Sequence, residues 1–412
     1  MSPICPYRHA LTNRTGTTLS FFLVSGSSKT LPLESARTLI RYLLRRDSSW
    51  LFPGGSCVTN HSGNRYTRTP VTRRSSISPA EGEADVAKER RKTKVREALN
   101  GITDAEVWAS IQARRNPQQV QDKSVKSAEL ETLISVSEEI GDDRPEGIFY
   151  ARTLPRTEWN QPWMNGIEKV ILIQRLREVM ALVGFTRFEA AAPDTEGELD
   201  MGVRRAELAR DVTWVPSIEN RGEGIFLQFS RESIEAWLQR PAVVERAVQL
   251  RRGFTAWKAE HSSSSRQFAG PAYIMLHSFA HLLITTIALE CGYPASSIRE
   301  RIYALPNIGY GVLLYTGSSD SEGTLGGMIE VGRRIASTIR SAIDLGTLCS
   351  NDPVCSQHLP ESPHERSFLL GAACHGCLLV AETSCEQQND LLDRSLVVRT
   401  VQGQQAEFFT EI

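Results

Sequence analysis

The spacing of apolar and polar residues predicts a series of helices in the middle of the chain. Apolar residues recur at helical spacing between residues 128 and 138, and Glu168–Val183 has the pattern of an amphipathic helix that ends before Gly184. Ser230 has the side chain of a helix N-cap, and the helix that it opens ends before Pro241, where a further helix begins. The middle of the chain is therefore expected to be rich in helix.

Strand patterns occur among these helices. The stretch TWVPSIENRGEGIFLQF contains two β-rich runs, Thr213–Ile218 and Ile225–Phe229, around a segment with Asn220 and two glycines, which is typical of a hairpin. Nearer the C-terminus, a strand at Gly311–Tyr315 precedes a glycine-rich loop and a helix at about residues 328–345. This mixture predicts an α+β protein that is mainly helical, with an α/β-like C-terminal domain.

One helix is apolar enough to raise the question of a membrane. Residues Ala272–Leu289 carry no formal charge when histidine is neutral, and their length reaches the minimum for a spanning helix. The segment also contains His277 and His281, and it lacks the basic and aromatic flanks of a membrane span. We therefore expect a buried core helix and no association with a membrane.

The N-terminal region differs in composition from the rest of the chain. Residues 1–75 carry eleven Lys or Arg against Glu34 and Asp47 only, and they show no sustained hydrophobic period. A basic helix is predicted within residues 81–100, where the run KERRKTKVR can contact nucleic-acid phosphates or form a solvated helix face. We expect residues 1–120 to be a poorly ordered, linker-like or helical region.

Composition and the remaining boundaries complete the predicted organisation. The 412 residues have a formal net charge of -1 and 41% hydrophobic residues, so composition alone indicates no strongly charged partner. No secretory signal is recognisable, which indicates a cytoplasmic protein. We expect an α+β middle region at residues 121–262, a C-terminal domain at residues 263–400 and a tail at residues 401–412.

Five of the eight cysteines lie within one short part of the C-terminal domain. Cys349 and Cys355 form one pair, and Cys374 and Cys377 form a CHGC motif, so two short loops can supply four thiolates to one tetrahedral zinc ion. Cys385 is an alternative ligand. Four thiolates leave no position for water, so the zinc is expected to be structural. Buried thiols without metal, or a redox pair at CHGC, are the alternatives.

Another group of residues offers a metal site with catalytic chemistry. His277 and His281 lie one helical turn apart on one helix face, although the glutamate of a metalloprotease HExxH motif is missing. Asp320 and Glu322 lie in the glycine-rich loop, whose backbone amides could instead cradle a phosphate. These four residues define the alternative hypothesis of a metal-dependent phosphodiesterase or nuclease. Core histidines and a tight glycine turn are the simpler interpretation.

Five separated stretches together resemble one protein family. They are QRLREVMALVGFTR at 174–187, VPSIENRGEGIFLQF at 215–229, LHSFAHLLI at 276–284, LLYTGSSDSEGTLGG at 313–327 and the cysteine-containing segment at 371–398. In this order they are similar to the DrmB family, the helicase-associated subunits of bacterial DISARM anti-phage systems. The C-terminal part also resembles the domain found behind MrfA-type helicases, in which a four-cysteine zinc site is characteristic.

The resemblance covers about residues 129–398 and implies a function without catalysis. It implies a partner of a DrmA-type helicase in a complex that engages invading DNA, with residues 263–400 as the helicase-associated zinc-binding domain. DrmB-like chains have a long N-terminal region with its own cysteine-rich part, whereas this chain has only Cys5 and Cys57 there, so a truncated or divergent N-terminal part is expected. A zinc module that binds DNA on its own is a further alternative.

Overall fold

The fold is known for most of the chain beyond residue 123 and for short strands before it. The computed structural model describes residues 15–22, 50–51, 56–59, 65–68, 72–73, 124–144, 147–186, 195, 217–262, 264, 266–316, 326–362 and 367–410. The predicted basic helix at residues 81–100 lies outside the described residues, and so do Asp320 and Glu322.

An antiparallel sheet forms the centre of the fold. Its strands are β1 (Thr15–Phe22), β3 (Ser56–Thr59), β4 (Arg65–Arg68), β6 (Glu139–Gly141), β7 (Phe149–Thr153), β8 (Ile167–Thr186), β9 (Ser217–Phe229), β10 (Ile298–Leu305) and β11 (Gly309–Thr316), while β2 (Trp50–Leu51) and β5 (Thr72–Arg73) pair with each other. The main order is β10-β11-β9-β8-β7-β6. The long strand β8 pairs with β9 along one edge, and along the other edge it pairs first with β7 and then with β1.

Helices cover both faces of this sheet. The described α-helices are α1 (Val125–Ile134), α2 (Arg156–Trp159), α3 (Arg231–Leu238), α4 (Pro241–Glu260), α5 (Gly270–Cys291), α6 (Gly327–Arg333) and α7 (Ile335–Thr347), and short 3-10 turns lie at Pro162–Met164, Ala295–Ser297 and Arg394–Leu396. Helices together with an antiparallel sheet confirm the predicted α+β class.

The two faces of the sheet belong to two hydrophobic clusters. Because side chains alternate along a strand, Ile225 and Leu227 of β9 enter the larger cluster with α5, while Phe226 between them enters the smaller cluster with Leu130 of α1. The same alternation runs along β8. The central strands are therefore buried on both faces, and they need apolar residues at successive positions rather than at every second one.

The helix predicted for residues 168–183 is wrong: this segment makes up most of β8. Val170 and Leu172 enter the larger cluster, whereas Ile171 and Ile173 enter the smaller one. A doubly buried strand has a continuous apolar run, which periodicity alone cannot distinguish from a buried helix. The helix-forming residues further along the segment were outweighed by pairing with β9 on one side and with β7 and β1 on the other.

The predicted hairpin is also wrong, because Ser217–Phe229 is one continuous strand. Its glycines bring neighbouring strands close together instead of forming a turn. A Cβ atom on Gly222 would lie 2.5 Å from the carbonyl oxygen of Thr316, and one on Gly224 would lie 2.6 Å from that of Leu314. Glycine within a strand often marks such a close approach of backbones. The part of the predicted hairpin before residue 217 lies outside the described residues.

Most predicted helices of the middle and C-terminal parts are confirmed. The hydroxyl of Ser230 accepts a hydrogen bond from the backbone N–H of Ser233 and caps α3, and Pro241 opens α4 as expected. The helix expected at residues 328–345 is divided into α6 and α7 at Arg334, whose backbone leaves the helical region. The strand expected at Gly311–Tyr315 is the central part of β11.

Helix α5 lies in the larger cluster, as predicted for a core helix. It ends at Gly292, which adopts the left-handed conformation with φ 70°. Residues Gly270–Glu290 are long and apolar enough to cross a membrane, but 83% of the most apolar window is buried inside the fold. Its hydrophobicity is therefore explained by packing between the sheet and the helices around it.

The larger cluster extends beyond the predicted boundary at residue 262. It contains Leu154 and Trp237 from the middle of the chain together with Ile339 and Phe409 from the C-terminal part. Strands β9 and β11, from either side of the boundary, pair directly. The division into regions at residues 120, 262 and 400 stays a prediction about units that fold or act separately.

Candidate metal centre

Four cysteines converge beyond the end of α7. The Sγ atoms of Cys349 and Cys374 are 3.5 Å apart, those of Cys355 and Cys377 are 3.8 Å apart, and those of Cys374 and Cys377 are 3.7 Å apart. All four sulfur atoms lie within 4.8 Å of one another. The two loops that the sequence analysis paired therefore meet in space, and the four thiols are not joined in disulfides.

Tight turns aim backbone N–H groups at these sulfur atoms. Asn351 donates to Sγ of Cys349 at 3.4 Å, and Gly376 donates to Sγ of Cys374 at 3.3 Å. The N–H of Cys374 donates to Sγ of Cys377 at 3.4 Å. Hydrogen bonds of this kind stabilise negatively charged sulfur, which is the form that binds metal. The five residues between Cys349 and Cys355, more than in the usual zinc spacing, are accommodated in these turns.

The loop between Cys349 and Cys355 is held by a buried arginine. Nη2 of Arg394 lies 2.5 and 2.6 Å from the two carboxylate oxygens of Asp352, and its Nη1 donates to the carbonyl oxygen of Gly346 at 3.1 Å. The Arg394 side chain is fully buried. This contact joins the C-terminal 3-10 turn to both sides of the first cysteine.

The thiols perturb one another's acidity. A hydrogen bond from Cys355, together with the N–H of Cys374 and the charge of Arg394, lowers the pKa of Cys377 to about 6. The pKa of Cys355 is raised, first by this hydrogen bond and then by burial. Burial also raises the pKa of Cys349 to about 11. Without metal the cluster retains protons, so a bound cation must displace them.

The spacing of the sulfur atoms fits a tetrahedral zinc ion. Thiolates at about 2.3 Å from Zn²⁺ place neighbouring sulfur atoms about 3.8 Å apart. Three of the six separations, at 3.5, 3.7 and 3.8 Å, match this value to within a few tenths of an ångström, and the other three are no longer than 4.8 Å. Cys349, Cys355, Cys374 and Cys377 can thus hold zinc after shifts of about 1 Å or less, and four soft thiolates favour zinc over magnesium or calcium.

Cys385 lies in a different cluster, away from these four. Its Sγ is 3.2 Å from Nε2 of His277, and the other members of the cluster are His281 and Glu300. All four side chains are buried. From its position in the sequence, Cys385 is an alternative ligand of the four-cysteine set, whereas the structure places it with the two histidines of α5.

Glu300 is a residue that the sequence analysis missed. It lies in β10 between Ile298 and Ile302, which face the larger cluster with no exposed surface, so period two directs the carboxylate into the core as well. An acid at an inward position of a buried strand is rarely found without a partner. The alternation of apolar residues around Glu300 was therefore the sequence signal by which this residue could have been found.

The glycine-rich loop shows no vacant anion site in the part that is described. The carboxylate of Glu223 accepts a hydrogen bond of 2.8 Å from the N–H of Met328 at the N-terminus of α6. Burial raises the pKa of Glu223. A phosphate at this helix end would meet a carboxylate already in place.

Two comparisons of sequence agree with this geometry. Residues 279–378 match the family model of the MrfA Zn-binding domain, and this range contains the four converging cysteines and excludes Cys385. The DISARM protein DrmB of Bacillus paralicheniformis is 35% identical over 306 residues, which make up 73% of this chain and 52% of that protein. The chain therefore spans about half the length of this relative.

Among solved structures, the crystal structure of the DUF1998 helicase MrfA bound to DNA is similar over 54% of this chain and 23% of that chain, with 11% sequence identity and a TM-score of 0.25. The resemblance predicted from the five sequence stretches is confirmed: the chain is similar to the DISARM protein DrmB over most of its length, and residues 279–378 match the MrfA Zn-binding domain.

Proposed function

We infer that this chain is a non-catalytic subunit of a DISARM-like anti-phage defence complex, which docks on a DrmA-type helicase and supports recognition of foreign DNA. The observation that carries this inference is the similarity to DrmB along 73% of the chain. Zinc in the four-cysteine site has a structural role, because four thiolates complete its coordination and leave no position for a substrate or a reactive water.

The surface beside the zinc site has the character of a docking surface. Leu348, Val354 and Leu359 lie next to the cysteines in sequence, and 68%, 74% and 50% of their surfaces are exposed. Exposed apolar patches mark protein interfaces, and three exposed apolar residues within positions 348–359 are candidates for such a patch. Bound zinc, together with the contact between Arg394 and Asp352, would hold the loop that carries Val354.

The alternative of a phosphodiesterase or nuclease receives less support. His277 and His281 have no exposed surface, and their rings contact Glu300 and backbone carbonyls instead of an open cleft. A phosphodiester substrate would have to reach them through the packed core around α5. The proposal includes contact between DNA phosphates and the basic run at residues 88–96. That segment lies outside the described residues.

Co-purification of the full chain with the helicase of the same defence system tests the proposal. We expect a stable complex, and we expect Val354→Asp and Leu348→Asp to weaken it at least tenfold without loss of zinc. Leu289→Asp is the matched control, because Leu289 is 75% exposed but lies at the end of α5, outside the cysteine segment. Hydrolysis of DNA by the isolated chain, abolished by His277→Ala with the fold intact, would instead establish the enzyme.

A further inference from the structure

We propose that His277, His281, Glu300 and Cys385 form a second zinc site, buried in the core and separate from the four-cysteine site. The ligand atoms of the four residues lie within 4.8 Å of one another. Oε1 of Glu300 is 2.9 Å from Nε2 of His277 and 3.3 Å from Nε2 of His281. Three separate parts of the chain supply the ligands, namely α5, β10 and the loop after the CHGC motif.

The hydrogen bonds of the two histidines determine where their lone pairs point. Nδ1 of His277 lies 3.1 Å from the carbonyl oxygen of Leu391, and Nδ1 of His281 lies 2.9 Å from that of Leu378. A carbonyl oxygen only accepts hydrogen bonds, so each Nδ1 carries the proton. In a neutral imidazole the lone pair is then on Nε2, which in both residues points at Glu300. Histidines that bind metal are commonly oriented in this way by a carbonyl group behind them.

Without a cation, this arrangement brings acceptors together in the core. Both Nε2 atoms and the Glu300 oxygen are acceptors, and Sγ of Cys385 already accepts from the N–H groups of Gln387 at 3.3 Å and Asn389 at 3.1 Å. The other oxygen of Glu300, Oε2, is buried and has no hydrogen-bond partner among the described residues. Oε1 also accepts from the N–H of Glu386 at 3.3 Å, so Oε2 is the unpaired atom. A buried acceptor without a partner destabilises a fold unless a cation or a proton satisfies it.

Protons alone satisfy the cluster less completely than a cation. A thiol proton of Cys385 can be donated to Nε2 of His277, and a carboxyl proton of Glu300 to Nε2 of His281, but Oε2 of Glu300 then still has no partner among the described residues. With Glu300 ionised, the rings themselves would have to supply the protons. For each Nε2 to donate to Glu300, both rings would have to be imidazolium ions, because each Nδ1 is already protonated. Their ring centroids are only 4.6 Å apart, and neither residue has exposed surface. Two cations facing one carboxylate leave a net positive charge in the core. A divalent metal with two neutral imidazoles, one carboxylate and one thiolate gives a net charge of zero.

The geometry and the donor types favour zinc. Zinc with ligands at about 2.0 to 2.3 Å places the ligand atoms about 3.3 to 3.6 Å apart in a tetrahedron. The separations of 2.9, 3.2 and 3.3 Å around His277, His281, Glu300 and Cys385 are within a few tenths of an ångström of these values. Imidazole, carboxylate and thiolate are all ordinary zinc ligands. Magnesium and calcium prefer sites made of oxygen ligands, so this mixed set does not suit them.

The second site would tie the C-terminal segment to the core helix. Leu378, whose carbonyl oxygen orients His281, directly follows Cys377 of the first site. Cys385 lies seven residues further along, so the segment between them is held by one metal at its start and by the other at its end. The ion has four protein ligands and no access to solvent, so its role is to fix structure.

Zinc content and zinc coordination of the full chain, purified under reducing conditions, test this proposal. We expect two zinc ions per chain in the wild type. Cys385→Ser and His277→Gln should each reduce the content to one, and Cys374→Ser with Cys377→Ser should also leave one. X-ray absorption at the zinc edge should show, on average, about 2.5 sulfur and about 1.5 nitrogen or oxygen ligands per ion. The two sites together contain five sulfur ligands and three others, divided between two ions.

The absorption measurement uses wild-type protein, so it decides the question even where a variant fails to fold. One zinc per chain with four sulfur ligands overturns the second site and leaves the four-cysteine site intact. Two zinc ions whose number does not change in Cys385→Ser or His277→Gln also overturn it. Failure of the helicase to co-purify is a separate result, which bears on the proposed function and not on this site.

Discussion

Nη2 of Arg394 contacts both carboxylate oxygens of Asp352, at 2.5 and 2.6 Å, and this ion pair crosses from the C-terminal 3-10 turn to the loop between Cys349 and Cys355. Neither residue belongs to the four-cysteine set, but the contact holds the loop that carries Cys349 and Cys355. A second guanidinium nitrogen, Nη1, donates at the same time to the carbonyl oxygen of Gly346 at 3.1 Å, and the single ammonium group of lysine offers no such pair of separated donors.

Replacement of Arg394 by methionine should therefore destabilise both the fold and the metal site. The change removes the charged partner of Asp352 and leaves its carboxylate with the N–H of Ser356, so we expect a loss of about 3 to 5 kcal/mol in the free energy of unfolding. Because the supporting contact of the cysteine loop is lost, zinc affinity should fall about 10- to 100-fold. Urea unfolding and competition with a chromogenic chelator measure the two effects.

The matched control is Arg340→Met in α7. Arg340 also faces an acid, Asp344, at 3.4 Å, but both side chains are exposed. An exposed pair contributes less than about 1 kcal/mol. Equal effects of the two substitutions would contradict the role assigned to Arg394.

Removal of zinc should unfold the region around the cysteines. Because the thiols repel one another when deprotonated and form no disulfides, the metal supplies the attraction that joins the two loops. We expect chelation in the presence of a reductant to lower stability by about 5 kcal/mol or more and Tm by roughly 10 °C or more. Calorimetry before chelation, after chelation and after restoring zinc measures this change. A Tm that is the same in all three samples would contradict a structural role.

Gly224→Ala should disturb the centre of the sheet. The new methyl group would lie 2.6 Å from the carbonyl oxygen of Leu314, so β9 and β11 would have to separate, and we expect a loss of about 1 to 3 kcal/mol. Arg221→Ala in the same strand is the control, because the Arg221 side chain is 48% exposed. Denaturant unfolding of both variants tests whether residues 217–229 form one strand, since glycine in a hairpin loop would tolerate alanine more easily.

Acid should weaken the buried ion pair between Arg246 and Asp393. Burial raises the pKa of Asp393, but the charge of Arg246 and hydrogen bonds from Arg246, Ser395 and Ala372 outweigh this effect and lower the pKa below its usual range. A carboxylate whose pKa is lower in the folded than in the unfolded state stabilises the fold. This contribution is complete above the unfolded pKa of about 3.9, and it is lost as the pH falls through the folded pKa.

Asp393→Asn should consequently destabilise the protein by about 3 to 5 kcal/mol at neutral pH, because Arg246 keeps a buried charge without its partner. The difference in stability between wild type and variant should stay constant from pH 7 to about pH 5 and shrink below about pH 4. Denaturant unfolding of both proteins across this pH range measures the difference in their free energies of unfolding. Loss of metal in acid affects both proteins equally and therefore cancels in this difference. A difference that grows on acidification would contradict this assignment.

The sequence by itself determined the features that depend on local patterns. Ser230 and Pro241 mark helix starts, Gly292 marks a helix end, and the CHGC motif with its distant pair of cysteines indicates a metal site. The α+β class and the resemblance to DrmB were also recognisable, because they rest on ordered motifs that can be seen without knowing what they contact.

Tertiary structure alone decided the features that depend on what lies across from a residue. Residues 167–176 lie in a strand whose two faces are both covered by apolar partners, and the helix-like spacing of the sequence does not show that these partners exist. Gly222 and Gly224 are required by the neighbouring strand and not by a turn. Cys385 joins His277, His281 and Glu300 because helix, strand and loop meet in the core, and proximity in sequence to four other cysteines does not reveal such a meeting.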